Sequence, residues 1–286
     1  MFEQNYNFAF LDEASKREIR RATLKAIAIP GYQVPFASRE LPIGRGWGTG
    51  GLQLTLSLVG KEDVLKVIDQ GSDDSVNAVS IRRLVEDTTG IRTTESTEEA
   101  SIIQTRHRTP DHPLRNDQIM VYQVPKPEPL RDVEPSETAT ARMHGEMDYS
   151  PMWLALYENI VKYGNMARGA DYPVMINKRY LMAPSPIPRW DNPKFHYAGF
   201  LSLFGAGREK KIYAIPPFTH VESLHFDDYP FEIENFDGAS CIDCGSANGF
   251  LQVIPAKGGT WIHRCSDTAF CLARRNASLK NAEVQA

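Results

Sequence analysis

The stretch CIDCGSANGFLQVIPAKGGTWIHRCSDTAFC, from Cys241 to Cys271, contains every cysteine of the 286-residue chain. Two residues separate Cys241 from Cys244, and five separate Cys265 from Cys271. A C-x2-C pair chelates one metal because a tight turn brings both sulfurs together. The glycine at position 245 also allows backbone amides to point at those sulfurs. The stretch therefore predicts a small C-terminal unit that is organised by a metal.

Two kinds of metal site suit this cysteine spacing. A structural zinc site uses two C-x2-C pairs about 15–20 residues apart, and the wider spacing of Cys265 and Cys271 fits that pattern less well. An iron–sulfur cluster held by three cysteines would leave the fourth thiol free for chemistry. His263 lies in the same window, where a polar strand histidine is a simpler interpretation than a ligand. The spacing leaves both kinds of site open.

Composition and charge restrict the class of protein. The formal net charge is -4, from 32 basic and 36 acidic residues, which argues against a broad nucleic-acid-binding surface. No segment approaches the ~18 consecutive apolar residues of a membrane-spanning helix. The opening residues MFEQNYNFAFLDEASK lack a basic region followed by an apolar run, so no signal peptide is predicted. We therefore expect a cytoplasmic protein without membrane association, in which reduced cysteines act as metal ligands or catalysts rather than disulfides.

The pattern of apolar residues predicts an α+β protein, with a mixed core of helices and short strands and a small cysteine-rich, metal-organised C-terminal unit. A first helix over Leu11–Ile29 is stopped by Pro30 and Gly31. Further helices are predicted over 62–70, 73–90 and 152–167. Short strands are predicted over 52–59, 100–108, 117–125, 172–184, 197–204 and 210–218, and a loose tail from 272 onwards.

Two units follow from this organisation. Residues 1–235 are expected to form the α+β catalytic core, with an exposed insertion over about 125–170. That insertion opens with PKPEPLRDVEP, which has four prolines in eleven residues and favours an extended arm. Residues 236–286 are expected to form the cysteine-rich cluster-binding segment and the tail.

Seven motifs, spread along almost the whole chain in order, resemble the carbon–phosphorus lyase subunit J family. The resemblance implies the radical S-adenosylmethionine catalytic subunit of a complex that cleaves the carbon–phosphorus bond of α-D-ribose 1-methylphosphonate 5-phosphate. The motifs are IPGYQVPFASRE (Ile29–Glu40), GWGTGGLQLT (Gly46–Thr55), IQTRHRTPDHPL (Ile103–Leu114), PSPIPRWDNPK (Pro184–Lys194), LFGAGREKKIYAIPPFTHVESLHFDDYPF (Leu203–Phe231), CIDCGS and RCSDTAFC.

The resemblance also implies cofactors and roles for particular residues. A [4Fe–4S] cluster would be held by Cys241, Cys244 and Cys265, and would cleave S-adenosylmethionine reductively. Gly31 would carry a glycyl radical and Cys271 a thiyl radical, giving methane and α-D-ribose 1,2-cyclic phosphate 5-phosphate. In a cluster-free preparation we expect zinc instead, with Cys271 as its fourth ligand.

A radical route suits the bond that is broken. Hydrolysis of a methylphosphonate would expel a methyl carbanion, and carbon has no lone pair that a general acid could protonate first. Glycine can form a stabilised backbone radical, and cysteine can serve both as radical relay and as nucleophile. Without the resemblance, the plain interpretation of Gly31 is a glycine that ends the first helix. The alternative function is a non-catalytic, four-cysteine zinc-ribbon scaffold subunit.

Other residues are candidates for binding the anionic substrate. Arg106, His107, Arg108 and Arg208 are candidate phosphate ligands, and ordinary surface charge is the alternative for each of them. His220 and His225 are expected to make structural hydrogen bonds rather than to bind a metal.

The sequence GWGTGG has the spacing G-x-G-x-x-G at Gly46, Gly48 and Gly51. It is not expected to bind a dinucleotide, because no helix is predicted to open there. A nest of backbone amides for a phosphate or the cofactor, or a flexible turn, remain as alternatives. The resemblance further implies other subunits of the core complex as partners, including a nucleotide-binding ATPase subunit that docks on about 125–170.

Overall fold

The computed structural model describes residues 11–38, 49–106, 108–124, 134, 136–146, 148, 150–152, 154–155, 158, 173–182, 193–207, 210–223, 236, 238–247 and 249–285. The helices in these residues are α1 (Glu13–Ala28), α2 (Thr49–Leu58), α3 (Val76–Thr89), α4 (Glu137–Glu146) and α5 (Thr268–Gln285). The strands are β1 (Val34–Pro35), β2 (Val64–Ile68), β3 (Arg92–Thr93), β4 (Ile102–Thr105), β5 (Ile119–Gln123), β6 (Pro173–Ile176), β7 (Arg179–Met182), β8 (Leu201–Ala206), β9 (Lys211–Ile215), β10 (Val221–Ser223), β11 (Leu251–Pro255) and β12 (Trp261–Cys265).

A mixed sheet forms the centre of the described protein, in the order β1-β9-β8-β5-β4-β2-β3. The neighbours from β8 to β3 pair in parallel, whereas β9 is antiparallel to both β8 and β1. Separate small sheets have the orders β10-β6-β7 and β11-β12. The predicted α+β class is confirmed. Among the described helices, none combines the length and apolar character needed to cross a lipid bilayer.

Both faces of the large sheet are buried. Alternate side chains of a strand point to opposite faces, and consecutive residues of β5 and β8 belong to two different buried clusters. Helices α1, α2 and α3 share one apolar cluster with Val121 and Leu203, on one face. Tyr122 and Phe204 point to the other face and pack with apolar residues of β6 and β10. Covering a parallel sheet on both faces is the usual way to bury it.

The first and third helices have clear sequence signals at their ends. Asp12 caps α1 by accepting a hydrogen bond from the Ser15 amide at 2.9 Å. Ser75 caps α3 in the same way, and α3 ends at Gly90, which has a φ of 72° in the left-handed region. Helices predicted for these two segments are confirmed, as are the strands over β4, β5 and β6 to β9.

Several predictions of local structure are wrong. Residues 52–59 were predicted as a strand from their alternation, but they lie in α2, whose side chains are buried around most of the helix. Residues 62–70 were predicted as a helix, but they contain the buried strand β2. The predicted loose tail is instead the 18-residue helix α5. The helix predicted over 152–167 falls largely outside the described residues.

Candidate metal centre and active site

The structure brings the four cysteine sulfurs together. Their Sγ atoms all lie within 4.8 Å of one another, and no disulfide joins them. The closest pairs are Cys241 with Cys271 and Cys244 with Cys265, each at 3.6 Å. Three of the cysteines are buried and Cys244 is half-buried. Such a group of thiols can bind a metal ion.

Backbone hydrogen bonds build the turn that carries the first pair. The Gly245 amide donates to the Cys241 carbonyl at 2.8 Å, and the Cys241 amide donates to the Ser246 carbonyl at 2.8 Å. Gly245 has a φ of 69°, which a glycine adopts without strain. The Cys265 amide donates to Cys241 Sγ at 3.4 Å, so an amide does point at a sulfur here as the sequence predicted.

The β11–β12 hairpin and helix α5 position the second pair. Cys265 is the last residue of β12 and pairs with Leu251 of β11. Cys271 lies in the first turn of α5, where its amide donates to the Asp267 carbonyl at 3.0 Å. His263 belongs to β12 and is not a member of the thiol group, in agreement with its interpretation as a strand histidine.

A buried ion-pair cluster ties this unit to the large sheet. The Lys66 ammonium of β2 lies 3.0 Å from Asp73 Oδ2 and 3.0 Å from Asp267 Oδ1, and all three side chains are buried. Asp73 also accepts the Thr268 amide at the start of α5. Burial raises the pKa of Asp73, while the Lys66 charge acts in the opposite direction.

Sequence reasoning missed this cluster. Asp267 lies within RCSDTAFC, but nothing in the sequence indicates that its partners are Lys66 and Thr97, which lie 201 and 170 residues away. The one signal in the sequence is a charged residue, Lys66, inside the short apolar run Val64–Ile68. A buried lysine needs such partners, because an unpaired buried charge is very costly.

The four thiols differ in acidity. Burial raises the pKa of Cys241, but the backbone amides of Cys244, Cys265 and Asp243 outweigh this effect and lower it to about 7. Burial, with hydrogen bonding to Cys241 and Cys244, raises the pKa of Cys271 to about 12 and also raises that of Cys265. In the metal-free site one thiol therefore ionises readily, and at least two hold their protons.

The sulfur positions match a single tetrahedral ion. A Zn–S distance of about 2.3 Å places the sulfurs of a tetrahedral site about 3.8 Å apart, close to the 3.6 Å of the nearest pairs. Thiolates are also the ligands of iron–sulfur clusters, so the donor chemistry suits a cluster as well. In a cluster each thiolate binds a different iron, and the sulfurs must then lie farther apart than in this arrangement.

Gly31 occupies a position that only glycine adopts without strain. Its φ is 76°, and its amide donates to the Ala214 carbonyl of β9 at 3.0 Å. A Cβ atom here would lie 3.2 Å from the Ile176 Cβ atom. The backbone conformation alone therefore explains a glycine, whether or not it carries a radical.

The described structure does not bring Gly31 and Cys271 together. Gly31 bonds to β9, whereas the unit that carries Cys271 is anchored on β2. Four strand intervals separate these strands, and neighbouring strands are about 4.8 Å apart, so the separation across the sheet is about 19 Å. The register places Ala214 level with Val67, so this distance runs directly across the sheet, and any offset along the strands would only lengthen it.

The phosphate candidates are not free surface charges where they are described. Arg106 pairs with the buried Asp69 through its Nε at 2.6 Å and its Nη2 at 2.8 Å. Burial nevertheless raises the pKa of that carboxyl, against the Arg106 charge. Arg108 is buried, with its guanidinium over the Phe250 ring. The surface interpretation of both arginines is therefore wrong. His107 and Arg208 lie outside the described residues.

The glycine-rich and histidine motifs are only partly described. The prediction that no helix opens at GWGTGG is wrong, because α2 begins at Thr49. Gly46 and Gly48 lie outside the described residues. The Gly51 amide donates to the Gln123 side chain, so it is not free to bind a phosphate.

The ring of His220 packs edge-on against the ring of His196, with 5.0 Å between the ring centres. His225 lies outside the described residues.

The fold and site define a class of α+β protein with a mixed sheet and a group of four cysteines that could hold a metal ion. The chain belongs to the family described as phosphonate metabolism protein PhnJ, whose model matches residues 4–277. It is 56% identical over 277 residues to the alpha-D-ribose 1-methylphosphonate 5-phosphate C-P lyase of Escherichia coli (strain K12), covering 96% of this chain and 98% of that relative. It is 57% identical over 272 residues to the protein of the same name from Rhizobium meliloti (strain 1021), covering 94% and 91%. The family resemblance of the motifs is confirmed.

Proposed function

We propose that this chain is a carbon–phosphorus lyase that acts on α-D-ribose 1-methylphosphonate 5-phosphate. The observation that carries this proposal is the near-full-length identity to two relatives that bear this activity in their names. The gathered thiols support it, because they provide a metal centre with more sulfurs than a three-ligand cluster needs.

Three cysteines would hold a [4Fe–4S] cluster in the active form: Cys241, Cys244 and Cys265. Together with S-adenosylmethionine, the bound cluster would supply the carbon-centred radical that starts the reaction. Cys241 is suited to a ligand role because its lowered pKa, about 7, favours the thiolate. Releasing Cys271 from the group would allow the other sulfurs to spread.

The chain's own residues would then move hydrogen and form the bond to phosphorus. Gly31, having lost a Cα hydrogen atom, takes the thiol hydrogen of Cys271. The resulting sulfur radical forms a bond to phosphorus as the carbon–phosphorus bond breaks, and the methyl radical leaves. That methyl radical takes hydrogen from Gly31, giving methane and restoring the glycyl radical. The ribose 2-hydroxyl then displaces the Cys271 thiolate, which receives the hydroxyl proton, and the cyclic phosphate forms.

This relay requires a rearrangement of the described structure. Hydrogen transfer needs atoms in contact. Gly31 is hydrogen-bonded to β9 and the unit that carries Cys271 is anchored on β2, and these strands are about 19 Å apart. The proposal therefore includes a second conformation, in which the cysteine unit and the turn at Gly31 approach each other. The raised pKa of Cys271, about 12, keeps its thiol hydrogen in place until that approach.

A structural zinc site is the alternative, and one observation favours it. The sulfur spacing of 3.6 Å within the nearest pairs suits one tetrahedral ion. In a scaffold subunit all four cysteines would be equivalent ligands, and removing any of them would release the metal. In the enzyme, removing Cys271 would leave the cluster in place.

The remaining proposals rest on the resemblance. We propose other subunits of a carbon–phosphorus lyase complex as partners, among them a nucleotide-binding ATPase subunit, and the cytoplasm as the location. The segment proposed for docking, about 125–170, falls mostly outside the described residues. The boundary at residue 235 likewise stays a prediction.

Methane release by the assembled complex tests the proposed function. Cys271→Ala should abolish methane formation, whereas Leu279→Ala, which changes an exposed residue farther along the same helix, should retain it. Both variants should assemble with the other subunits to the same extent. Methane formation by Cys271→Ala would contradict the assigned role of this thiol.

A further inference from the structure

A small, half-open cavity of about 100 Å³ lies beside the thiol group, on the side of Cys265 and Cys271. Two guanidinium groups and one carboxylate, from Arg264, Arg275 and Asp243, share its lining with these two sulfurs. Because one water needs only about 10–15 Å³ of such space, the cavity has room for a group of several non-hydrogen atoms. It is therefore a polar cavity that opens onto the sulfur assigned to the reaction.

The charges around this cavity are not balanced. Arg264 is occupied by Asp243, whose Oδ2 lies 2.6 Å from its Nε. A second carboxylate, Asp74, lies 3.9 Å from Arg264 on its far side. Arg275, in contrast, makes no hydrogen bond or ion pair with any residue that the structure describes. The lining therefore offers one guanidinium group that has no anionic partner.

Helix geometry aims that guanidinium at the mouth of the cavity. Cys271 and Arg275 are four residues apart on α5, so their side chains share one face of the helix. The neighbouring Arg274 points elsewhere, with its guanidinium 5.5 Å from the centre of the Phe270 ring. Arg274 and Arg275 are therefore adjacent and carry the same charge, but Arg275 lines the cavity and Arg274 contacts Phe270.

We propose that this cavity is the subsite for the phosphonate group, and that Arg275 binds its oxygens with phosphorus facing Cys271. A planar guanidinium binds a tetrahedral oxyanion through two parallel hydrogen bonds, which fixes orientation as well as position. Its charge also offsets the negative charge of the bound phosphonate. The assignment rests on the proposed function, which makes Cys271 the group that attacks phosphorus.

Alkylation of Cys271 in the full-length, reduced, metal-free chain tests this assignment without turnover. Iodoacetate is an anion and iodoacetamide is neutral, so the ratio of their rates at Cys271, followed by peptide mass spectrometry, reports the local charge. Cys271 and Arg275 are four residues apart on α5, a spacing that typically puts side chains about 6 Å apart, so Arg275→Gln should lower that ratio about threefold. Arg274→Gln should lower the ratio less, because the Arg274 guanidinium lies over Phe270, and Arg275→Lys should largely retain it. Equal ratios in the two glutamine variants would overturn the proposal.

Protection experiments distinguish the two anionic ends of the substrate. The monomethyl ester of methylphosphonate should slow alkylation of Cys271 in the unmodified chain and in Arg274→Gln, but not in Arg275→Gln. Ribose 5-phosphate should protect less well. Better protection by ribose 5-phosphate would assign the cavity to the other phosphate and overturn the proposal. Methane formation by Cys271→Ala is a separate result, which would contradict the proposed function without altering the charge measurement.

Discussion

The Lys66 ammonium and the Asp267 carboxylate form a buried ion pair at 3.0 Å, although the two residues are 201 positions apart in the chain. Asp267 is also the residue whose carbonyl accepts the Cys271 amide. One lysine in the central sheet therefore fixes the helical turn that carries the fourth thiol. Ligand-supporting contacts of this kind orient metal ligands and tune their affinity.

Lys66→Met should destabilise the protein and weaken its metal site. The variant leaves two buried carboxylates without their cation, which typically costs about 3–5 kcal/mol in the free energy of unfolding. Metal affinity should fall about 10–100-fold, as for other losses of supporting contacts. Urea unfolding and competition with a chromophoric chelator measure the two effects.

The exposed Lys61 provides the control for that substitution. Lys61→Met should change the free energy of unfolding by no more than about 0.5 kcal/mol, because the side chain is at the surface. Similar stability and metal affinity in Lys66→Met and Lys61→Met would show that the ion pair does not support the site.

Metal affinity should rise steeply with pH. The pKa of Cys271 is raised to about 12 and that of Cys265 is also raised, so both are protonated near neutral pH and must lose their protons to bind zinc. With two or more protons released, apparent affinity should increase at least about 100-fold per pH unit between about pH 7 and pH 9. Chelator competition at several pH values measures this slope, and an affinity that is independent of pH would contradict the assigned thiol acidities.

Gly31→Ala should destabilise the protein even if Gly31 carries no radical. A left-handed φ costs a non-glycine residue about 1–2 kcal/mol, and the added Cβ would also press on Ile176. Gly90→Ala is a matched control, because Gly90 has a similar φ of 72° with open space around it. Unfolding measurements should show a larger loss for Gly31→Ala, and a smaller loss would contradict the tight packing at this turn.

The radical assigned to Gly31 has a spectroscopic test that does not depend on that strain. In the complex with its cofactors and substrate, a glycyl radical should give an electron paramagnetic resonance signal split by its remaining Cα hydrogen. Growth with glycine deuterated at Cα should collapse the splitting. Gly90→Ala should retain the signal, and a signal unaffected by deuteration would exclude glycine as its carrier.

The candidate metal centre could be predicted from the sequence because its four cysteines are close together and chemically distinctive. Four cysteines within 31 residues, two of them two residues apart, predict gathered thiols in a reducing environment. The helices with clear caps, α1 and α3, were predicted for a similar reason, since their end signals are local. Local chemistry of this kind does not depend on the rest of the fold.

The errors arose where distant contacts override the local pattern. Lys66 makes 62–70 resemble an amphipathic helix, yet it lies in a buried strand, because Asp73 and the distant Asp267 neutralise its charge. The alternating residues of α2 suggest a strand, but its serine and glutamine are buried as well as its leucines. The Gln53 side chain, for example, accepts a hydrogen bond from the Ser38 hydroxyl, outside the helix, at 2.6 Å. Such partners depend on tertiary packing, which no local pattern encodes.

The separation of Gly31 from the thiols was also beyond local patterns. It depends on strand order, which places β9 and β2 four intervals apart. The sequence orders these segments along the chain but does not specify which strands become neighbours.

Anaerobic reconstitution of the chain with iron and sulfide, alongside Cys271→Ala, tests the assignment of three ligands and one reactive thiol most directly. The visible absorption spectrum should show a broad iron–sulfur band of equal intensity in both proteins, with equal iron content. Loss of the band and of iron in Cys271→Ala, or a site that takes up only stoichiometric zinc and releases it in the variant, would show four equivalent ligands and contradict the role of Cys271.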